Sequence, residues 1–235
     1  MFWKLLLING LTCVRIIGTI LLIPIYINYG GLYAAILTAV CYFTDILDGS
    51  FARHWNASTF FGAFLDGIAD KALTIISFVV LFIITPYALI PIIFEILTLL
   101  INILKYTRHY NAKSNMIGKA KVWVLAICIV LTFLISDINS ITFLPEYIKN
   151  EFVIQNNDFY FWLLLPAIII EALTFISYVL ELFEANTREK PEEVVVDVVS
   201  RGAKERVKKI WFNPEFYDNH KNDSNLKDLR KLTKK

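Results

Sequence analysis

Four aspartates stand at helical spacing in the apolar first third of this 235-residue sequence. Asp45 and Asp48 lie three positions apart, and Asp66 and Asp70 four. Each pair therefore shares one face if its segment is helical. The stretch between them, residues 53–61, is short and predicts two antiparallel neighbours whose carboxylates meet near one end. Four carboxylates held that close repel one another unless a cation compensates. An all-oxygen donor set suits Mg²⁺ or Mn²⁺ rather than zinc. Gly49 and Gly62 leave room for a ligand beside the carboxylates, and Ala52 keeps the same face shallow. Arg53, one turn after Gly49, carries a guanidinium suited to bidentate contact with a diphosphate. Carboxylates, metal, small residues and an arginine together describe a pyrophosphate site.

The elements that must position these groups are membrane spans. The chain is 57% hydrophobic with mean hydropathy +0.56, more apolar than a soluble domain of this length. The apolar residues run in continuous blocks, which predicts helices of roughly 20 residues rather than alternating strands. We expect an all-α, polytopic membrane protein with six transmembrane helices, over residues 11–26, 32–51, 60–84, 88–106, 118–136 and 159–183. An amphipathic lead-in covers residues 2–8, a turn falls at Thr85-Pro86, and residues 137–158 form a polar loop. Lys4, Arg15, Arg53, Lys71, Lys105, Arg108, Lys113, Lys119 and Lys121 fall at one set of span ends, and only Lys149 at the other. The N- and C-termini are accordingly expected in the cytoplasm. No cleavable leader is expected, because the first apolar block carries Arg15 and lacks a small-residue cleavage site.

Residues 184–235 read as a basic cytoplasmic tail, holding 13 of the 23 lysines and arginines. A short β-like run covers residues 194–199. A basic stretch at 201–209 ends in Ile210-Trp211-Phe212, a pattern suited to an anionic membrane surface. Cys13, Cys41 and Cys128 have no metal-ligand spacing and read as small apolar residues. Nothing in the pattern of basic residues points to nucleic acid.

The run Asp45-x2-Asp48-Gly49-x2-Ala52-Arg53-x8-Gly62-x3-Asp66-x3-Asp70 resembles the signature of the CDP-alcohol phosphatidyltransferase family, with every position filled. The resemblance covers residues 1–183, as one membrane-embedded domain, and leaves out the tail. It implies phospholipid biosynthesis: transfer of a phosphatidyl group from CDP-diacylglycerol to a small alcohol, with release of CMP. It implies two divalent ions, Mg²⁺ or Mn²⁺, on Asp45, Asp48, Asp66 and Asp70, with Asp70 also the base on the acceptor hydroxyl. It places Asn9, Gly49, Ala52, Arg53, Thr59 and Gly62 on the CDP-lipid. It further implies a multi-pass enzyme of the inner (plasma) membrane, acting at the cytoplasmic face among membrane lipids, and it allows a homodimer.

Within the family, three stretches look most like the phosphatidylglycerophosphate synthases, which use glycerol 3-phosphate. They are Asn9-x-Leu11-Thr12-x2-Arg15 with Pro24, Gly62-Ala63-Phe64-Leu65-Asp66-x2-Ala69-Asp70-Lys71, and Ile117-Gly118-Lys119-Ala120-Lys121. By this resemblance Lys119 and Lys121 would meet the acceptor's phosphate, with Arg108 as a substitute for a phosphate ligand that this chain lacks; positive-inside anchoring accounts for the two lysines equally well. Phe94-Glu95 stands where those relatives carry Arg-Glu, Asn102 replaces a second arginine, and Val122 replaces a threonine. Phosphatidylglycerol (giving cardiolipin), serine, inositol phosphate or an amino alcohol therefore stay open as acceptors. Glu95 and Glu171 are read as mid-membrane carboxylates, Glu171 as a structural hydrogen-bonding group. The rival classes are a transporter and a non-enzymatic scaffold. The first has no inverted repeat to support it, and the second would show a lost signature residue.

Overall fold

The computed structural model describes residues 2–107, 116–140, 145, 157–187 and 210–220. Among these, every regular element is helical: α1 (Phe2–Tyr29), α2 (Gly31–His54), α3 (Phe60–Ile84), α4 (Leu89–Thr107), α5 (Met116–Ser136), α6 (Asn157–Thr187) and α7 (Pro214–His220). Single 3₁₀ turns cover Pro86–Ala88 and Ile138–Ser140. The amphipathic lead-in is not a separate piece; it is the first turns of α1. The β-like run at 194–199, the basic stretch at 201–209 and Arg108 lie outside the described residues.

Among the described residues, five helices are long and apolar enough to cross a membrane, and Ala120–Ser136 adds a shorter apolar stretch within α5. The core lies where α1, α2, α3, α5 and α6 converge, around Leu22, Ala34, Phe78, Leu81, Ile129, Phe133 and Leu164. Small residues set the distance between helices there: Gly18 of α1 faces Cys41 of α2 so closely that a Cβ would come within 2.8 Å of the thiol. The outer surface is no less apolar, with Ile20, Ile83, Leu180 and Phe183 all strongly exposed. A contiguous apolar exterior of this kind is what lipid, not water, would cover. Thr19 and Thr132, both buried, donate their hydroxyls to a carbonyl one turn back, on Arg15 (2.8 Å) and Cys128 (2.6 Å).

The turn from α1 into α2 depends on two glycines. Gly30 has φ +87°, and a Cβ on Gly31 would overlap the Phe133 carbonyl and the Ser136 hydroxyl of α5. Asp137, just past α5, fills the remaining space and accepts the Leu32 amide at 3.2 Å, satisfying one of the free N–H groups at the start of α2. Gly31→Ala is therefore expected to cost about 1–3 kcal/mol through overpacking. Gly10→Ala, where a Cβ meets nothing within 4 Å, should be neutral or slightly stabilising. Thermal melts in detergent check both, and equal melting temperatures would show that the turn tolerates a side chain.

Residues 210–220 pack against the bundle. Ile210 is wholly buried, and Trp211, Phe212, Phe216 and Tyr217 lie against the first turns of α3. The apolar anchors read from sequence as membrane-seeking are thus engaged, at least in part, by the protein's own helix.

Candidate functional site

The site forms where α1, the end of α2 and the start of α3 meet. The loop after α2 is tight: the Trp55 and Ala57 amides donate back to Phe51 (2.9 Å) and Ala52 (3.0 Å), and Asn56 takes φ +47°. Thr59 then caps α3, its hydroxyl accepting the Gly62 amide at 3.1 Å. The cap is close enough that a Cβ on Gly62 would press on Thr59 and on the Asn9 side chain, at 3.1 and 3.3 Å. This turn brings the two aspartate pairs face to face as the spacing predicts. Carboxylate oxygens of Asp45, Asp48 and Asp66 all lie within 4.8 Å of one another.

What sequence spacing did not reveal is the cation among them. Arg15 of α1 is almost fully buried and pairs with Asp45 and Asp66, with Asp70 at 2.9 Å and with Asp48 at 3.6 Å. Thr12, one turn earlier on the same face, donates to Asp48 at 3.1 Å. Asn9, Thr12 and Arg15 recur every three residues, so α1 presents a polar stripe to the aspartates. The signal was in the sequence: an arginine inside an apolar span is expensive unless something polar surrounds it. Read as a topology marker, Arg15 proves to be part of the site.

One guanidinium balances one of four carboxylates. The remaining negative charge, the all-oxygen donors and their mutual distances fit divalent cations of the Mg²⁺ or Mn²⁺ type. Asp48 is 4% exposed and fixed by Thr12, whereas Asp66 and Asp70 are 43% and 42% exposed and open to a ligand. Asp70 lies outside the close group of three and meets it through Arg15.

A cavity of about 440 Å³ opens beside the cluster. Asn9, Gly49, Ala52, Arg53, Thr59 and Gly62 all line it, together with Asp48, Asp66, Asn56 and Ser58. The first turn of α3 forms its edge, so the positive end of that helix favours an anion there. Tyr217 and Asp218, from beyond the region of resemblance, also line the cavity. Sequence reasoning had no means of placing them.

Of the expected acceptor residues, Lys121 is the one whose side chain is among those described. Lys119 belongs to α5, and Lys121 is buried and held by Glu95 and Glu171 (3.0 Å). Glu95 also takes Lys71, the residue after Asp70, so that α3, α4, α5 and α6 are joined by one buried chain of alternating charge. Glu171, read from sequence as a hydrogen-bonding group, meets Lys121 as an ion pair instead. Lys121 is engaged by carboxylates rather than presented to a ligand.

Comparison with known proteins gives a consistent result. Residues 5–170 match the family description "CDP-alcohol phosphatidyltransferase". Among curated proteins, the CDP-diacylglycerol–glycerol-3-phosphate 3-phosphatidyltransferases of Escherichia coli (strain K12) and Shigella flexneri serotype 5b are similar. Each is 42% identical over 67 residues, covering 26% of this chain. The matched stretch spans 37% of the length of those relatives.

Proposed function

This chain belongs to the CDP-alcohol phosphatidyltransferase family, and on that footing we propose that it transfers a phosphatidyl group from CDP-diacylglycerol to glycerol 3-phosphate, giving phosphatidylglycerophosphate and CMP. The observation that carries this reading is the cavity. All six residues expected on the CDP-lipid line one space that ends on the aspartate cluster. In the proposed reaction the acceptor's hydroxyl oxygen attacks the phosphorus that bears the diacylglycerol, and the bond from that phosphorus to CMP breaks. Asp70 takes the hydroxyl proton. Arg53, at the cavity wall, steadies the diphosphate, and the capped start of α3 adds to the positive field. Asp45, Asp48, Asp66 and Asp70 would hold two divalent ions, Mg²⁺ or Mn²⁺, which when bound neutralise the diphosphate and the charge on the departing CMP. Arg15 keeps the carboxylates from repelling one another and holds their geometry.

The proposed setting is the inner (plasma) membrane, crossed six times with α5 as one of the crossings, and with both termini and the site at the cytoplasmic face. The lipid tails would stay in the bilayer beside the exposed apolar helices. The tail from residue 184 onward is proposed as a cytoplasmic segment distinct from the catalytic domain. Pairing of two copies, which the family resemblance allows, has no support in the comparisons.

A second acceptor is favoured by one observation. Lys121 is tied to Glu95 and Glu171, and Phe94 and Asn102 stand where a phosphate-binding arginine is expected. The same chemistry on a less anionic alcohol, such as serine or phosphatidylglycerol, would need fewer free cations. The test is an assay of the purified protein with CDP-diacylglycerol, Mg²⁺ or Mn²⁺, and each acceptor separately, following CMP and the new lipid. Chelator-sensitive turnover with glycerol 3-phosphate is expected. Turnover with another alcohol alone would move the acceptor assignment, and none with any alcohol would sink the enzymatic reading.

A further inference from the structure

The segment that returns from beyond the family match has a built structure of its own. Asn213 opens α7, its side-chain oxygen accepting the Glu215 amide at 3.0 Å, and Pro214 follows as the first helical residue. The seven-residue helix is too short to persist alone, and it is held by rings. Phe212 meets Phe61 at 5.0 Å, Trp211 meets Phe64 at 6.4 Å, and Phe60 lies between Phe216 (6.3 Å) and Tyr217 (5.0 Å). Ile210 is buried completely, anchoring the approach to α7. This packing delivers Tyr217 and Asp218 to the wall of the donor cavity.

Their place in that cavity is set by α3. Phe60 begins the helix and Asp66 follows six positions later, roughly 9 Å farther along at 1.5 Å per residue. Tyr217, packed edge-on against Phe60, enters the cavity from the start of α3, and Asp66 stands farther along the same helix. A diphosphate fixed at the aspartates and Arg53 has two substituents. The diacylglycerol must run toward the lipid-facing helices. The nucleoside is left to run the other way, into the part of the cavity that Tyr217 and Asp218 line.

We propose that the segment Ile210–His220 completes the donor site, with Tyr217 and Asp218 forming the wall against the nucleoside of the CDP-lipid. The aromatic ring supplies a flat apolar surface to a base or sugar. The carboxylate supplies an acceptor for ribose hydroxyls or the amino group of cytosine. This rests on the proposed donor and adds a chain-specific contribution, since the segment lies 40 residues past the end of the family match at residue 170.

The test uses full-length protein in detergent with three single variants: Tyr217→Ala, Asp218→Asn and Ile210→Asp, the last chosen to undock the whole segment. Equilibrium binding of CDP-diacylglycerol and steady-state KM values for donor and acceptor are measured alongside melting temperature. Donor affinity should fall about tenfold in Tyr217→Ala and Ile210→Asp and about threefold in Asp218→Asn, with the acceptor KM unmoved. Amide hydrogen exchange in residues 210–220 should slow when the donor is added to the wild type. If Ile210→Asp does not fold, the two milder variants and the exchange data decide alone. Donor affinity within twofold of wild type in the folded variants, or exchange indifferent to the donor, would overturn the proposal. Binding of CDP-diacylglycerol without turnover would remove the enzymatic reading while leaving this one to be judged by affinity; failure of the wild type to bind it would remove both.

Discussion

Asp70→Asn is expected to lower turnover by about 10³-fold while leaving CDP-diacylglycerol binding within a few-fold of wild type. A positioned general base contributes on the order of 10²–10⁴, and the amide keeps the shape while losing the basic oxygen. One observation separates Asp70 from the other aspartates: it lies outside the close group formed by Asp45, Asp48 and Asp66. Its side chain is 42% exposed, so an incoming alcohol has access to it. The proposed reading puts the acceptor's hydroxyl at this carboxylate, with Lys71 next along α3. The comparison that gives the number meaning is Asp45→Asn, in the tight group, which should weaken metal binding more than Asp70→Asn does, as well as turnover. Donor affinity, metal affinity and single-turnover CMP release measured on both variants make the check. Asp70→Asn activity near wild type would remove the role assigned to this carboxylate.

The second large effect belongs to stability. Glu95 is 1% exposed and takes both Lys71 and Lys121, while Glu171, wholly buried, takes Lys121 from the other side. Such a set is costly to assemble and costlier to break, because removing one member leaves a buried charge uncompensated. Glu95→Ala is expected to destabilise the protein by about 3–5 kcal/mol. Glu95→Gln should recover only a small part, since it restores the hydrogen-bonding shape without the charge. Melting temperatures in detergent, with Lys4→Ala as an exposed-charge control that should be nearly silent, would settle the matter. A Glu95→Ala melt equal to wild type would mean that the lysines find other anions. Because the network includes the residue next to Asp70, loss of activity in Glu95 variants should accompany the loss of stability.

Much of this was legible in one dimension. Helix periodicity placed Asp45 with Asp48 and Asp66 with Asp70 on shared faces, and the shortness of residues 53–61 forced the two faces together. That step needs only helix geometry and chain connectivity, so it survives into three dimensions: three of the carboxylates lie within 4.8 Å of one another. Gly62 was read as leaving room for a ligand, and in the structure a Cβ there would press on Thr59 and Asn9, at 3.1 and 3.3 Å. The lipid-facing surface followed from composition, because a continuous apolar block says that a helix is buried in something apolar without saying which face meets protein.

The places where the reading needed correction all concern partners distant in sequence. Arg15 counted as one more positive residue at a span end until α1 packed against α2 and α3 and carried it into the cluster. Lys121 looked like a free cation, and only the approach of α4 and α6 showed it claimed by Glu95 and Glu171. Trp211 and Phe212 have the composition of a membrane anchor, yet they spend their rings on Phe64 and Phe61. The sequence by itself determined the chemistry available: aspartates at helical spacing, small residues beside them, and helices that lipid must surround. The tertiary structure alone decided which charge neutralises which, and which distant segment closes the cavity. The physical reason is that helical periodicity fixes geometry only over a turn or two, whereas a buried charge takes whatever opposite charge the packing of other helices brings within reach.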